Sequence, residues 1–106
     1  MRHIRISARA DDDLEAIGDY TEANWGVQKS EEYLDSITRC VEMLADNPQL
    51  GILRSELGRG LYLWPHESHL IFYRFDDDAI EIGRILHSSM DVVLHLSTDP
   101  SVTPSK

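Results

Sequence analysis

At 106 residues with 10 Lys and Arg against 19 Asp and Glu, the chain has the size of one domain and a net charge of −9. Residues 1–50 carry a net of −6 and residues 51–106 a net of −3, so neither half has the basic footprint that gripping a phosphate backbone requires. No apolar run approaches the roughly 20 residues that span a bilayer. The charged start, Met1-Arg2-His3-Ile4-Arg5, lacks the apolar core of a signal peptide, and the expected location is the cytoplasm.

In chain order, residues 2–7 alternate, with Ile4 and Ile6 on one face, and predict a short strand. Ser7 is placed to cap a helix from Ala8, where Asp11, Asp12, Asp13 and Glu15 sit near the positive end of its dipole. Ala10, Leu14, Ile17 and Thr21 form its apolar stripe, and Gly26 supplies the stop. A second helix is expected from about Val27 to Asp46, with Tyr33, Leu34, Ile37, Val41, Leu44 and Ala45 on one stripe and Asn47-Pro48 at its end. So short a link implies an antiparallel helical hairpin. Cys40 lies one turn from Ile37 and Leu44, which makes it a small buried hydrophobe rather than a reactive thiol.

Residues 47–60 read as a loop rich in Pro and Gly. Three strands follow at about 61–65, 68–75 and 79–87, joined by turns of which Asp76-Asp77-Asp78 is the second. Consecutive carboxylates cannot all converge on one ion, so that turn is a solvated hairpin tip. In the second of these strands His69, Ile71, Tyr73 and Phe75 share a face; in the third, Ile80, Ile82, Arg84 and Leu86 do. Met90 to Leu96 is a short helix or a last strand. The predicted organisation is an α+β domain over residues 1–96 in β-α-α-β-β-β order. Its helical hairpin packs on one face of a mostly antiparallel sheet, with a short C-terminal segment and a flexible tail at 97–106.

Several stretches taken together resemble the RelE/ParE superfamily of bacterial toxins, and its ParE branch in particular. They are Ser7-Ala8-Arg9-Ala10, Asp13 to Ile17, Tyr20, Trp25-Gly26, Tyr33-Leu34, Leu44-Ala45, Asn47-Pro48, Leu50-Gly51, Gly60-Leu61, His69 to Arg74, Arg84 to His87 and Met90-Asp91. The resemblance implies the toxin of a type II toxin–antitoxin module. Such a toxin poisons DNA gyrase without being an enzyme and is neutralised by a ParD-like antitoxin, with no cofactor and no metal. It also places the target-binding element at the C-terminal segment, here Met90, Asp91, Val93 and Leu94.

The RelE branch, by contrast, cleaves messenger RNA on the ribosome. Its chemistry needs an acid/base near neutral pKa and several cations around the phosphate. The residues available are His87, Arg84, Arg74, Arg59 and Arg54, with Glu56 as an auxiliary base. Against this stand the net charge of −9, a single lysine (Lys29) before the final residue, and Ser88-Ser89 after His87 where such enzymes place basic or tyrosine residues. A third reading is a non-toxic module that binds only an antitoxin. Arg54, Arg59, Arg74 and Arg84, with Tyr62 and Trp64, are the residues expected to meet the antitoxin, as interfaces concentrate arginine and aromatics. His87, Asp91 and His95 would align as metal ligands only on a continuous helix, and the strand ending at His87 breaks that line.

Overall fold

A computed structural model describes residues 2–97, except for the side chains of Leu94 and Ser97. The elements are β1 (His3–Ile6), α1 (Ala8–Trp25), α2 (Val27–Asp46), β2 (Ile52–Leu53), β3 (Tyr62–His66), β4 (His69–Phe75), β5 (Ala79–His87) and α3 (Val92–Ser97). A single 3-10 turn, Pro48–Leu50, follows α2. The expected tail lies outside the described residues, save that the backbone of Ser97 closes α3.

The five strands form one sheet in the order β1-β5-β4-β3-β2, antiparallel except where β1 runs parallel to β5. This is the expected α+β arrangement with one difference. The loop at 47–60 contains the two-residue edge strand β2, paired to β3 through Ile52 and Leu53. The C-terminal segment resolves as a helix.

Local chemistry fixes the hairpin. The Ser7 hydroxyl accepts the Ala10 N–H at 3.0 Å, capping α1, and donates to the Gly83 carbonyl at 2.7 Å, tying that cap to β5. Gly26 ends α1 and begins α2 with φ 93° and ψ 168°, a conformation essentially restricted to glycine. The two helices approach closely at Gly18, whose carbonyl accepts the buried Ser30 hydroxyl at 2.8 Å. A Cβ there would come within 3.1 Å of Leu34.

The sheet has an apolar layer on each face. Toward the helices, Ile37, Val41 and Leu44 pack on Ile71, Tyr73, Ile80, Ile82 and Ile85. Each fully buried aliphatic contributes roughly 1.5–3 kcal/mol. On the other face, Leu61, Leu63, Phe72 and Leu86 are covered by Val92 and Leu96 of α3. The alternation expected for β5 holds only to Ile82. Tyr73 pairs with Ile82 and Phe72 with Arg84, leaving Gly83 as the extra residue of a β-bulge. Past the bulge, Ile85 joins Ile80 and Ile82 on the helix side, while Leu86 moves to the opposite layer.

Tyr73 clamps the turn after α2. Its hydroxyl donates to the Pro48 carbonyl at 2.6 Å and accepts the Gly51 N–H at 3.0 Å. A Cβ on Gly51 would overlap that hydroxyl, so the clamp requires glycine there. Cys40 is buried, and burial pushes its thiol up, in keeping with an inert core residue. At the triple-aspartate turn, the Asp76 carboxylate accepts the N–H groups of Asp78 and Ala79, each at 2.8 Å, which hold its carboxyl below the usual range.

Candidate functional site

β1 stops at Ile6, opposite Ile82, so the outer edge of β5 beyond it has no strand partner. Helix α1 covers that edge. The Asp13 carboxylate accepts the Ile85 N–H at 2.9 Å and takes the Arg84 guanidinium in two-point contact, Nε at 2.8 Å and Nη2 at 3.0 Å. The two side chains are only 9% and 14% exposed. Arg84 was expected to meet the antitoxin. Instead it is buried and bound to Asp13, so its guanidinium offers no surface for docking.

Beyond this lock, a groove of about 840 Å3 opens between α1, the start of α2 and the ends of β4 and β5. Ile17 and Ile85 form its floor, and Tyr20, Trp25 and Met90 stand at its mouth. Tyr20 and Trp25 are each 63% exposed and meet edge to face, with centroids 6.1 Å apart. Aromatics left this open on a small domain mark a contact surface rather than a core.

The inner end of the groove is polar. His66, His69 and His87 come from the ends of three successive strands and form one cross-strand row. The Tyr33 hydroxyl meets His69 Nδ1 at 2.6 Å, and the Ser36 hydroxyl meets His66 Nε2 at 2.9 Å. His87 Nδ1 accepts the Ser89 N–H at 3.1 Å. Burial, and then the neighbouring His87 and His66, hold His69 below the ordinary imidazole value, with Asp13 and Glu67 acting in the opposite sense. Burial likewise raises the Tyr33 phenol, opposed by a hydrogen bond from Ser68.

The residues that RNA cleavage would need do not gather. Arg74 stands opposite Glu81, and His87 opposite His69, at the two ends of the β4–β5 hairpin. Five residues of strand separate those ends, about 16 Å. Arg74 also lies on the sheet face away from the helices, where its Nε donates to the Arg59 carbonyl at 2.8 Å. Arg54 is held by Glu56 at 2.6 Å near the β2 edge. Arg74 and Arg59 therefore meet at one end of the hairpin, while His87 stands at the other and Arg84 is bound to Asp13.

Of the residues expected at the antitoxin, Tyr62 and Trp64 are half-buried on the helix side of β3, with Tyr62 stacked on Tyr73 at 5.6 Å. Arg54 and Arg59 border the outer edge, where Leu50, Ile52 and Leu53 are exposed. In the C-terminal segment, Met90 and Val93 are 44% and 64% exposed and Asp91 is exposed, while the side chain of Leu94 lies outside the described residues. His87 ends β5 and α3 begins at Val92, so His87, Asp91 and His95 share no helix. Among the described residues no group of three or more His, Cys, Asp or Glu is placed to hold a metal ion, and no helix is long and apolar enough to cross a membrane. Sequence reasoning missed the groove-lining role of Tyr20, Trp25 and Lys29; the available signal was two large aromatics off the buried stripe of α1.

A helical hairpin on a five-stranded sheet, closed by a short C-terminal helix, is the fold of toxins from toxin–antitoxin modules. The structure superposes on a chain of the chromosomal ParDE system from P. aeruginosa with a TM-score of 0.71 at 24% identity, over 82% of this chain and 96% of that one. It also matches a chain of the RelBE2 toxin–antitoxin complex from Mycobacterium tuberculosis, with a TM-score of 0.61 at 22% identity. In sequence, residues 4–92 match the model of the ParE toxin of the type II toxin–antitoxin system parDE. Toxin ParE1 of Caulobacter vibrioides is 36% identical over 96 residues, covering 91% of this chain and 99% of that protein. Toxin ParE1 of Mycobacterium tuberculosis is 35% identical over 88 residues, covering 82% and 90%. The chain belongs to the ParE family of type II toxin–antitoxin toxins.

Proposed function

We propose that this protein is a non-enzymatic cytoplasmic toxin that poisons DNA gyrase and is held inactive by a ParD-like antitoxin. The observation that carries the non-enzymatic reading is the separation of His87 from Arg74 and Arg59 by the length of the β4–β5 hairpin, together with the use of Arg84 inside the fold. Acid/base catalysis at a phosphate requires the acid and the stabilising cations around one site, and His87 lies about 16 Å along the strands from Arg74. The exposed features are instead those of a protein that binds protein: an apolar groove rimmed by Tyr20, Trp25 and Met90, and a short open sheet edge at Ile52 and Leu53.

In this reading Met90, Asp91, Val93 and Leu94 contact the topoisomerase, while the groove and the β2 edge, bordered by Arg54 and Arg59, take the antitoxin. The domain acting in this way is residues 1–96. The experiment is inducible expression with and without the adjacent antitoxin reading frame. Arrest of DNA replication relieved by the antitoxin supports the proposal. Arrest of translation with cut transcripts, abolished by His87→Ala, replaces it with the RelE-type reading. Normal growth with antitoxin still bound replaces it with a non-toxic binding module.

A further inference from the structure

The groove differs in sign from the hairpin that borders it. Residues 8–46 carry 11 acidic and 3 basic side chains, so the hairpin accounts for −8 of the net −9. Within the groove, however, the Asp13 carboxylate is already engaged by Arg84 and by the Ile85 N–H. Lys29 lines the same groove, and no ion pair joins it to another described residue.

The two imidazoles that line the groove have fixed tautomers. The Tyr33 hydroxyl lies 2.6 Å from His69 Nδ1 and, as the far more acidic partner, donates to it, which places the proton of the neutral imidazole on Nε2. His87 Nδ1 accepts the Ser89 N–H, so its proton also sits on Nε2. The rings meet edge to face with centroids 5.2 Å apart. The groove is therefore lined by two N–H donors and an ammonium group, beside an apolar floor. A carboxylate there would find two or three charge-assisted partners, whereas a cationic side chain would face Lys29.

We propose that the groove docks an amphipathic segment of the antitoxin. Its apolar side chains lie on Tyr20, Trp25 and Met90, and one Asp or Glu carboxylate is received by the Nε2–H groups of His69 and His87 with Lys29 beside them. Basic residues elsewhere in that segment meet the acidic outer face of the hairpin. A single acid among bases then fixes its register, since a shifted register sets a carboxylate against the hairpin's own carboxylates. The proposal rests on the reading of this chain as a neutralised toxin and adds the chemistry of the partner.

Three near-isosteric probes test the groove: 1-naphthylacetate, 1-naphthylacetamide and 2-(1-naphthyl)ethylamine. Each is titrated into the full chain while the imidazole and Trp25 resonances are followed by NMR. The acetate is expected to bind at least about fivefold tighter than the amide, and the amine weakest of all, with shifts at both His69 and His87. In His87→Gln and in Lys29→Ala, two positions outside the buried core, the preference for acetate over amide shrinks while apolar binding persists. The toxin purified with its antitoxin shows no acetate shifts, because the site is filled. Equal binding of acetate and amide, or tightest binding of the amine, overturns the carboxylate assignment. Undiminished acetate binding by the toxin–antitoxin complex overturns the occupant. If the antitoxin neutralises growth arrest but the probes show no charge preference, this inference alone fails. If no antitoxin binds the chain at all, the toxin reading fails with it.

Discussion

Removing the Asp13 carboxylate strips the edge of β5 of its cover at one stroke. Asp13→Ala takes away three charge-assisted hydrogen bonds, at 2.8, 3.0 and 2.9 Å, and leaves the guanidinium of Arg84 confined in a site where its side chain is 9% exposed. Breaking a buried pair by deleting one partner costs about 3–5 kcal/mol. The orphaned Ile85 N–H alone accounts for about 1–3 kcal/mol, and the two contributions overlap because one carboxylate serves both. A loss of about 4 kcal/mol is expected, a large share of the ~5–15 kcal/mol typical of a domain. With a urea m-value of about 2 kcal/mol/M, the midpoint should fall by about 2 M.

Equilibrium unfolding in urea, followed by tryptophan fluorescence, measures this directly. Asp12→Ala, one position away and exposed, should stay within about 0.5 kcal/mol of the parent. The double substitution Asp13→Leu with Arg84→Met removes both charges together and should recover the part due to the unpaired guanidinium, leaving about 1–3 kcal/mol for the Ile85 N–H. A cost below about 1 kcal/mol for Asp13→Ala, or an equal cost for Asp12→Ala, would refute the reasoning.

Other outcomes follow from the same geometry. Gly51→Ala drives a methyl group into the Tyr73 hydroxyl and should destabilise more than Tyr73→Phe, which leaves the Pro48 carbonyl and Gly51 N–H unpaired at a cost of about 1–3 kcal/mol; urea midpoints rank the two. The Tyr73 phenol is pushed up to about 12, so the native state favours its neutral form. Its stabilising contribution is complete below the ordinary value near 10 and is lost as pH rises from there toward 12, which alkaline unfolding followed at 295 nm will show in the wild type and not in Tyr73→Phe. His69 is held below its ordinary value, so the unfolded chain takes up a proton more readily than the folded one. Stability should therefore fall as pH drops below about 6.5, and His69→Gln should flatten that part of the profile in thermal melts.

Much of the architecture was written locally. Ser7 and Gly26 bracket α1, the stripe from Tyr33 to Ala45 defines α2, and β1 carries its own alternation, so these elements and their layer could be read directly. The strand β2 could not, because two residues among Pro48, Gly51, Gly58 and Gly60 leave no periodic trace. The bulge at Gly83 escaped for a different reason. β5 is apolar on both faces, so an inserted residue does not break any visible pattern, and the face carrying Ile85 was misassigned. The site was less legible still. Asp13 and Arg84 lie 71 residues apart, and each has nearer opposite charges in the chain, so only the place where β1 stops pairs them. The groove depends on where the hairpin leaves Tyr20 and Trp25, which follows from the packing of α1 and not from its composition.

The central claim is that the chain stops DNA gyrase by binding it. Purified toxin, freed from its antitoxin, is added at micromolar concentration to gyrase with relaxed plasmid, and both supercoiling and cleaved DNA are measured. Loss of supercoiling with accumulation of cleaved complexes, reversed by adding antitoxin and weakened by Met90→Glu, is the predicted result. Undisturbed supercoiling with no cleaved complex, from toxin that still binds its antitoxin, would contradict it.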